Sequence, residues 1–248
     1  MPLTLSHPAL VLPLRRLGLP MTSLVIGSMV LDIPLYLGSR RGYEIAHSPI
    51  GIPTVDVIGT LLVLWIWFTV LRDPLADLAP GPIRSRLAPR ARLTRRQWWL
   101  APVGGLIGAT LHVTWDSFTH DHTWGYRHVA WLRADHLGVA GLRWAQYASA
   151  VGGLVVIAAY AFAHLRRQPV VREPRPDRLL PLLTLPAVIV AGAVAALAAA
   201  LPKASVGLHS MAFHGAVGAV VTLALGILLV CTAWQVRRFR REESVGEA

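Results

Sequence analysis

The residues best able to do chemistry lie in one short stretch, Leu111–His128, which holds four histidines and two aspartates. Three of these residues, His112, Asp116 and His120, are four apart and therefore share one face of a helix. Neighbours on that face are about 6 Å apart, a gap that one metal ion can bridge, whereas the outer pair is about 12 Å apart. The spacing predicts that His112 and Asp116 share one ion and that His120 serves a second ion or a substrate.

A structural explanation also fits this stretch. Aspartate and histidine are common where a helix emerges into water, and Trp115 and Trp124 resemble anchors at a membrane–water interface. A lone His-x-x-x-Asp pair is therefore a weak pattern. The metal interpretation gains strength from further histidines and aspartates elsewhere in the chain.

Those further residues are His7, Asp32 and His47. His7 follows Ser6, a residue suited to capping a helix. Asp32 ends an otherwise apolar segment, where an unpaired carboxylate is costly unless it meets a cation or a hydrogen-bond donor. A solvent-facing aspartate is the alternative there, although the helix dipole disfavours it. His47 lies in a loop context and equally fits a surface histidine.

Two arrangements of the N-terminal segment are open. Two short helices, about His7–Leu17 and Met21–Asp32, broken at Gly18–Leu19–Pro20, would each be about 15–18 Å long. Such a hairpin returns His7 and Asp32 to the same level. If Gly18–Leu37 instead spans a membrane, the two residues are separated. No small-residue cleavage site follows the apolar stretch, so we do not expect a signal peptide.

The composition indicates what kind of scaffold carries these residues. Of 248 residues 54% are hydrophobic and only 15% are charged, yet the net charge is +11, and 23 of the 24 basic residues are arginines. The apolar residues form long blocks with the arginines between them, which favours a membrane protein over a nucleic-acid binder. Disordered, collagen-like and disulfide-bonded classes are excluded. The predicted fold is an all-α membrane bundle with an N-terminal helical hairpin and about five spanning helices, Val55–Leu71, Trp98–Thr114, Ala148–Leu165, Leu179–Leu201 and Leu208–Trp234.

The arginines also predict an orientation. Sixteen of the 23 fall in three clusters (Arg72 with Arg84–Arg96, Arg166–Arg178, Arg237–Arg241), which alternate correctly if all face the cytoplasm. We therefore expect a bacterial inner-membrane protein with its histidines and aspartates on the outer side and a cytoplasmic C-terminus. The chain is interpreted as one integral membrane domain, with a hairpin and loop over 1–54, a bundle over 55–234 and a cytoplasmic tail over 235–248.

These motifs, taken in order, resemble a known family. The N-terminal Met-Pro-Leu-Thr-Leu-Ser-His-Pro, the Ile-Gly-Ser-Met-x-x-Asp around Asp32, His47-Ser48 and the His112-x-x-Trp-Asp-Ser-Phe-Thr-His120 run are similar to those of the bacterial "domain of unknown function 4184" membrane proteins. That family is in turn similar to inner-membrane metal-dependent hydrolases and, more distantly, to the zinc-dependent phospholipase C group. The resemblance implies a metal site built from His7, Asp32, His47, His112 and Asp116.

Other candidate residues have weaker support for a functional role. Arg127, His128 and Arg133 suit either phosphate binding or a solvated loop. His209 and His214 are five residues apart, about 140° of helical rotation, and suit packing or helix-end roles. The lone Cys231 lies in an apolar run, where a cysteine acts as a small hydrophobe.

The function we expect is a membrane-embedded, metal-dependent hydrolase of a phosphoester or lipid-like substrate, with a divalent ion, expected to be zinc, activating water. His7, Asp32, His112 and Asp116 would hold the metal, with His47 and His120 as ligand or acid–base groups. The expected partners are the bilayer and a small or lipid-like substrate, without nucleic acid. One alternative is a non-catalytic transporter or partner-binding subunit; another is a metal-dependent lyase or cyclase of prenyl diphosphates.

Overall fold

Helices predominate among the described residues, which otherwise contain one short strand pair, and this confirms the all-α prediction. The computed structural model describes residues 4–171 and 178–246. Short turns of other helix types also occur: 3₁₀ turns at Thr4–Ser6, Leu12–Arg16 and Leu201–Lys203, and π-helical turns at Ile52–Asp56 and Trp67–Leu71. The helices are α1 (Pro8–Val11), α2 (Met21–Val30), α3 (Ile33–Tyr36), α4 (Arg40–Ala46), α5 (Val57–Ile66), α6 (Arg72–Leu78), α7 (Gly81–Arg84), α8 (Arg95–Thr119), α9 (Trp124–His128), α10 (Ala130–Arg133), α11 (Gly141–Arg167), α12 (Thr184–Ala200) and α13 (Leu208–Gly246); a two-stranded antiparallel hairpin pairs β1 (Asp135–His136) with β2 (Val139–Ala140).

Within the described residues, four helical runs are long and apolar enough to cross a membrane. They are Ile52–Leu78, Gly141–Arg167, Thr184–Lys203 and Leu208–Glu243. Large apolar side chains on these runs are exposed, among them Val155, Phe162 and Leu229. Exposed apolar surface of this extent is stable against lipid rather than water. The helices therefore indicate a membrane protein, with four such runs where the sequence predicts about five.

The remaining predicted span, Trp98–Thr114, is not among these four apolar runs. It lies inside α8. This helix is long enough to span, at 25 residues, but its buried face carries glycines, alanines and His112 instead of large apolar side chains. Those small residues serve helix packing: a Cβ added at Gly105 or Gly108 would lie 2.9 Å from Thr60 or 2.4 Å from the Leu24 carbonyl. α8 thus packs its small-residue face closely against other helices.

The chain divides into two compact units. One comprises residues 4–65 and 93–164, and the other comprises 66–92, 165–171 and 178–246. The division falls inside the long Ile52–Leu78 run. All the residues of the predicted metal site belong to the first unit.

The second unit explains several of the clustered arginines. Asp77 accepts hydrogen bonds from Arg84 at 2.7 Å and from the Trp234 indole at 2.8 Å, while Asp73 accepts one from Arg92 at 2.8 Å. Arg84 therefore joins α7 to α6, and Arg92 joins the segment before α8 to α6, a role that their clustering did not predict. Cys231 is fully buried, as predicted for a small hydrophobe. Arg172 and Arg175 of the second cluster lie outside the described residues.

Candidate metal centre

Helix α8 supplies the first two side chains of the site. His112 is fully buried and Asp116 is 6% exposed, one turn further on, with 3.2 Å between His112 Nε2 and Asp116 Oδ2. The close approach of α2 completes the setting, because the Ser28 carbonyl of α2 accepts a hydrogen bond from His112 Nδ1 at 2.8 Å. The small residues of α8 thus bring a backbone acceptor to the far side of the imidazole.

The N-terminal hairpin brings two more side chains to the same place. The chain reverses at Gly18, whose φ of +73° suits glycine. The Thr4 hydroxyl then donates to Asp32 Oδ2 at 2.5 Å, and His7 Nε2 lies 3.1 Å from Asp116 Oδ1. This return confirms the hairpin over a continuous span through Gly18–Leu37.

His47 closes the group from the C-terminal end of α4. Its Nε2 lies 3.6 Å from Asp32 Oδ1 and 3.8 Å from Asp116 Oδ2, while its Nδ1 donates to the Tyr43 carbonyl at 2.9 Å. Burial lowers the pKa of His47, so the neutral ring is favoured. Neutral imidazole is the form that binds metals.

The three imidazoles share one orientation. In each, Nδ1 faces a backbone carbonyl: that of Thr4 for His7, Tyr43 for His47 and Ser28 for His112. A carbonyl only accepts, so Nδ1 carries the proton and the Nε2 lone pair of the neutral ring points at the carboxylates. This backbone support is the usual partner of a metal-binding histidine.

Several of the inward-facing atoms lack a hydrogen bond. Among the described residues, Asp32 Oδ1, His47 Nε2 and His112 Nε2 are buried without such a partner. Lone pairs that face carboxylate oxygens at 3.2–3.8 Å repel one another unless a cation or a proton lies between them. A divalent cation would also neutralise the two aspartates.

Four of the distances between these atoms are close to those between the ligands of one metal ion. Four atoms, Nε2 of His47 and His112 and one oxygen each of Asp32 and Asp116, are separated by 3.2, 3.6, 3.8 and 3.8 Å in the four measured pairs. Tetrahedral zinc with bonds of 2.0–2.1 Å separates its ligands by about 3.3 Å. Two overlapping trios, His7–His112–Asp116 and Asp32–His47–His112, each lie within 4.8 Å. His7 Nε2 lies 3.1 Å from the second oxygen of Asp116, Oδ1, so His7 could be a further ligand or could orient this carboxylate.

Comparison with known protein families shows which family the chain belongs to. The model of the family described as "Domain of unknown function (DUF4184)" matches residues 1–232. The chain belongs to this family. No curated protein and no solved structure matches it.

His120 stands at the edge of the site in this DUF4184 protein. Its Nδ1 lies 3.3 Å from the Asp116 carbonyl and 3.4 Å from Asp116 Oδ1, and its Nε2 is buried without a hydrogen-bond partner among the described residues. It belongs to neither metal-binding trio. The assignment of His120 as an acid–base group stays a prediction.

The rest of the histidine-rich loop is not part of the site. The side chains of Asp121 and His122 are 70% and 90% exposed, and the His128 ring stacks on Trp124. Arg127 donates to the His122 carbonyl, and Arg133 donates to the Tyr126 carbonyl at 2.9 Å. These arginines therefore hold the loop together, which favours the structural explanation over phosphate binding. His214 bonds to Ser210 within its own helix, as expected for a packing role.

Sequence reasoning missed two side chains that support the ligands. Thr4 holds Asp32 and is itself 2.7 Å from the Tyr36 hydroxyl, while the Tyr43 ring packs on His47 at 3.9 Å. Burial, with the charges of Asp116 and Asp32, raises the pKa of Tyr43 above its usual range, so its hydroxyl stays protonated. The spacing was a usable signal, because Thr4 and Tyr43 precede His7 and His47 by about one helical turn.

Asp56 is a further buried acid near the site. It is 2% exposed, its Oδ2 lacks a hydrogen bond among the described residues, and it lies within electrostatic range of His112. The π-helical turn Ile52–Asp56 places it at the start of the long helical run. The sequence predicts that Asp56 and His112 lie at the same side of the membrane, at the ends of two predicted helices. It does not predict that the Asp56 side chain is buried.

Proposed function

We propose that this protein is a membrane-embedded, metal-dependent hydrolase of a phosphoester or lipid-like substrate. One observation carries the proposal: three imidazole Nε2 atoms and two carboxylates converge in a buried site, and several of these atoms have no hydrogen-bond partner among the described residues. The four apolar helical runs support a location in a membrane. The ligand type supports zinc, which takes nitrogen and oxygen ligands at these spacings.

The roles of the residues follow from their positions. Asp32, His47, His112 and Asp116 would hold the ion, and His7 would bind or orient Asp116. An ion held there supplies Lewis-acid chemistry, lowering the pKa of a bound water and polarising a phosphoryl or acyl oxygen. His120 keeps Nδ1 on the Asp116 carbonyl, which leaves Nε2 free to accept a proton from water or to return one to the leaving group.

The hydrolase proposal is tested with purified, zinc-loaded protein in detergent. We expect release of phosphate from phosphatidic acid or p-nitrophenyl phosphate, followed by colorimetric assay, and a fall of about 10²–10⁴ in kcat for His120→Ala at unchanged metal content. His128→Ala is the matched control, since this histidine stacks on the exposed Trp124 away from the site. Metal-loaded wild type that hydrolyses neither of these phosphomonoesters, nor a phosphodiester such as phosphatidylcholine, would contradict the proposal.

The close His–Asp contacts support one alternative. His7 and His112 lie 3.1 and 3.2 Å from Asp116, distances at which a shared proton can replace a metal ion. The cluster would then act as a proton relay in a non-catalytic membrane protein. Purified protein that binds no divalent ion would favour this alternative.

The orientation in the membrane is a separate proposal. We propose that the 84–96 segment and the C-terminus lie on the cytoplasmic side of a bacterial inner membrane and the histidine-rich loop on the outer side, because the arginine clusters favour that orientation. This orientation requires α8 to cross the membrane as well, packed against other helices. Single cysteines at Arg90 and at Asp121, both exposed, should react with a membrane-impermeant maleimide from opposite sides of the cell membrane. Cys231 is buried and provides the unlabelled background. Labelling of Arg90→Cys in intact cells would reverse the assignment.

A further inference from the structure

An apolar groove adjoins the metal centre. It has a volume of about 510 Å³ and lies between the N-terminal helix α1, helix α8 and helix α11. Most of its lining is carbon, contributed by side chains such as Leu10, Phe118 and Leu132. A cavity of this size and character suits the apolar part of a small ligand.

Two residues belong to the groove and to the metal centre at once. His7 lines the groove and lies 3.1 Å from Asp116 Oδ1. Thr119, also in the lining, has its hydroxyl 3.5 Å from the same oxygen. The groove therefore has a polar end at the metal centre and an apolar body that leads away from it.

The body of the groove follows α11, a helix apolar enough to span a membrane. Ala148, Gly152 and Val156 line it at intervals of four residues, so they share one helix face, and all three are exposed. The groove is thus open along its side. Beside a membrane-spanning helix, such an opening faces hydrocarbon.

The length of the groove matches one leaflet. Its lining on α11 extends from Ala145 to Val156, about 16 Å along the helix. Half of the hydrocarbon core of a bilayer is about 15 Å thick. A single chain of a lipid in one leaflet would fit along it from end to end.

We propose that the groove holds one alkyl chain of a lipid phosphoester whose phosphate reaches the His7–Asp116 end. This assignment rests on the proposed hydrolase function, which it deepens by naming the substrate class. The chain enters sideways from the bilayer, and the apolar lining replaces the lipid contacts that the chain leaves. A phosphoester without an alkyl chain makes no contacts with the groove and gains no binding affinity from it.

Gly152 offers a direct test. A Cβ at this position would meet no atom within 4 Å, so a leucine enters open space in the groove without disturbing the helix packing. Val155 is the matched control, because it is 61% exposed on the same helix and does not line the groove. Ala148→Leu is a second groove variant, which should reproduce the effect of Gly152→Leu.

The first readout is binding, measured without turnover. Dodecyl phosphate with a terminal diazirine is photolysed with each zinc-loaded variant, and the adducts are mapped by mass spectrometry. We expect adducts between Ala145 and Val156 in wild type and Val155→Leu, and at least fivefold fewer in Gly152→Leu and Ala148→Leu. Adducts elsewhere, or equal labelling of all four proteins, would overturn the assignment.

The second readout separates this inference from the proposed function. We expect Gly152→Leu to raise KM for dodecyl phosphate at least tenfold and to change KM for p-nitrophenyl phosphate less than twofold. Equal KM values for dodecyl phosphate in Gly152→Leu and wild type would overturn the groove assignment while hydrolysis stands. Labelling of the groove in a protein that hydrolyses neither compound would support the groove and contradict the hydrolase.

Discussion

Asp116→Asn should abolish tight binding of a divalent ion. Asp116 is the hub of the metal centre, with one oxygen near His112 and His47 and the other near His7. Asparagine keeps the shape but removes the charge and one acceptor oxygen. Loss of an outer partner alone costs about 10–100-fold in metal affinity, so we expect a loss of more than about 100-fold here.

Metal content and stability report this loss together. Wild type should carry close to one zinc per chain by mass spectrometry of the metal, and its melting temperature in detergent should rise with added zinc. An ion at 100 times its Kd stabilises by about 2.7 kcal/mol, an increment that Asp116→Asn should lack. Asp121→Asn is the matched control, because this aspartate is 70% exposed in the following loop. Retention of zinc by Asp116→Asn, or sub-stoichiometric zinc in zinc-treated wild type, would refute the metal centre.

The second large effect concerns the packing that positions the site. Gly108→Val should separate α2 from α8, because the added Cβ would lie 2.4 Å from the Leu24 carbonyl and 2.7 Å from the Ser28 nitrogen. Both are backbone atoms and cannot rotate away as a side chain can. Overpacking typically lowers the free energy of unfolding by 1–3 kcal/mol, and because two backbones clash here we expect a loss of about 3 kcal/mol or more. The same movement would withdraw the Ser28 carbonyl from His112.

Unfolding in detergent and zinc content measure both consequences. Gly152→Ala is the control, since it is also a helical glycine but has open space around it. Its expected effect is a gain of about 0.5–1 kcal/mol, from the better helix propensity of alanine. Gly27→Val should behave like Gly108→Val, because its Cβ would lie 2.4 Å from the Gly105 carbonyl. If both Gly108→Val and Gly27→Val kept the melting temperature and the zinc content of the wild type, this account of the packing would be contradicted.

Local rules accounted for much of the candidate site. The spacing of His112 and Asp116 follows from the period of a helix, and the structure places them as expected, one turn apart on the buried face of α8. The cost of an unpaired carboxylate at Asp32 predicted a partner, and the Thr4 hydroxyl provides one. The turn at Gly18–Leu19–Pro20 similarly predicted the hairpin. Each inference depends only on neighbouring residues in the chain or on the free-energy cost of burying a charge.

The interpretation of α8 shows where such rules end. A hydropathy argument treats every long apolar segment alike, so the sequence predicts α8 as one more spanning helix. Its glycines have a different meaning once α2 lies against it, because they set the distance between two backbones. The arginines were interpreted as markers of the cytoplasmic side, whereas in the structure Arg84 and Arg92 also bind Asp77 and Asp73.

The sequence alone determined the helical class, the apolar runs, the hairpin and the helix face shared by His112 and Asp116. These properties depend on period, hydropathy and turn residues, which are local. Only the tertiary structure showed that His47 Nε2 approaches both Asp32 and Asp116, that the Nδ1 atoms of three imidazoles face backbone carbonyls, and that an apolar groove ends at His7. Such features arise from contacts between residues up to 109 positions apart, as for His7 and Asp116, and no local rule specifies which distant helices meet.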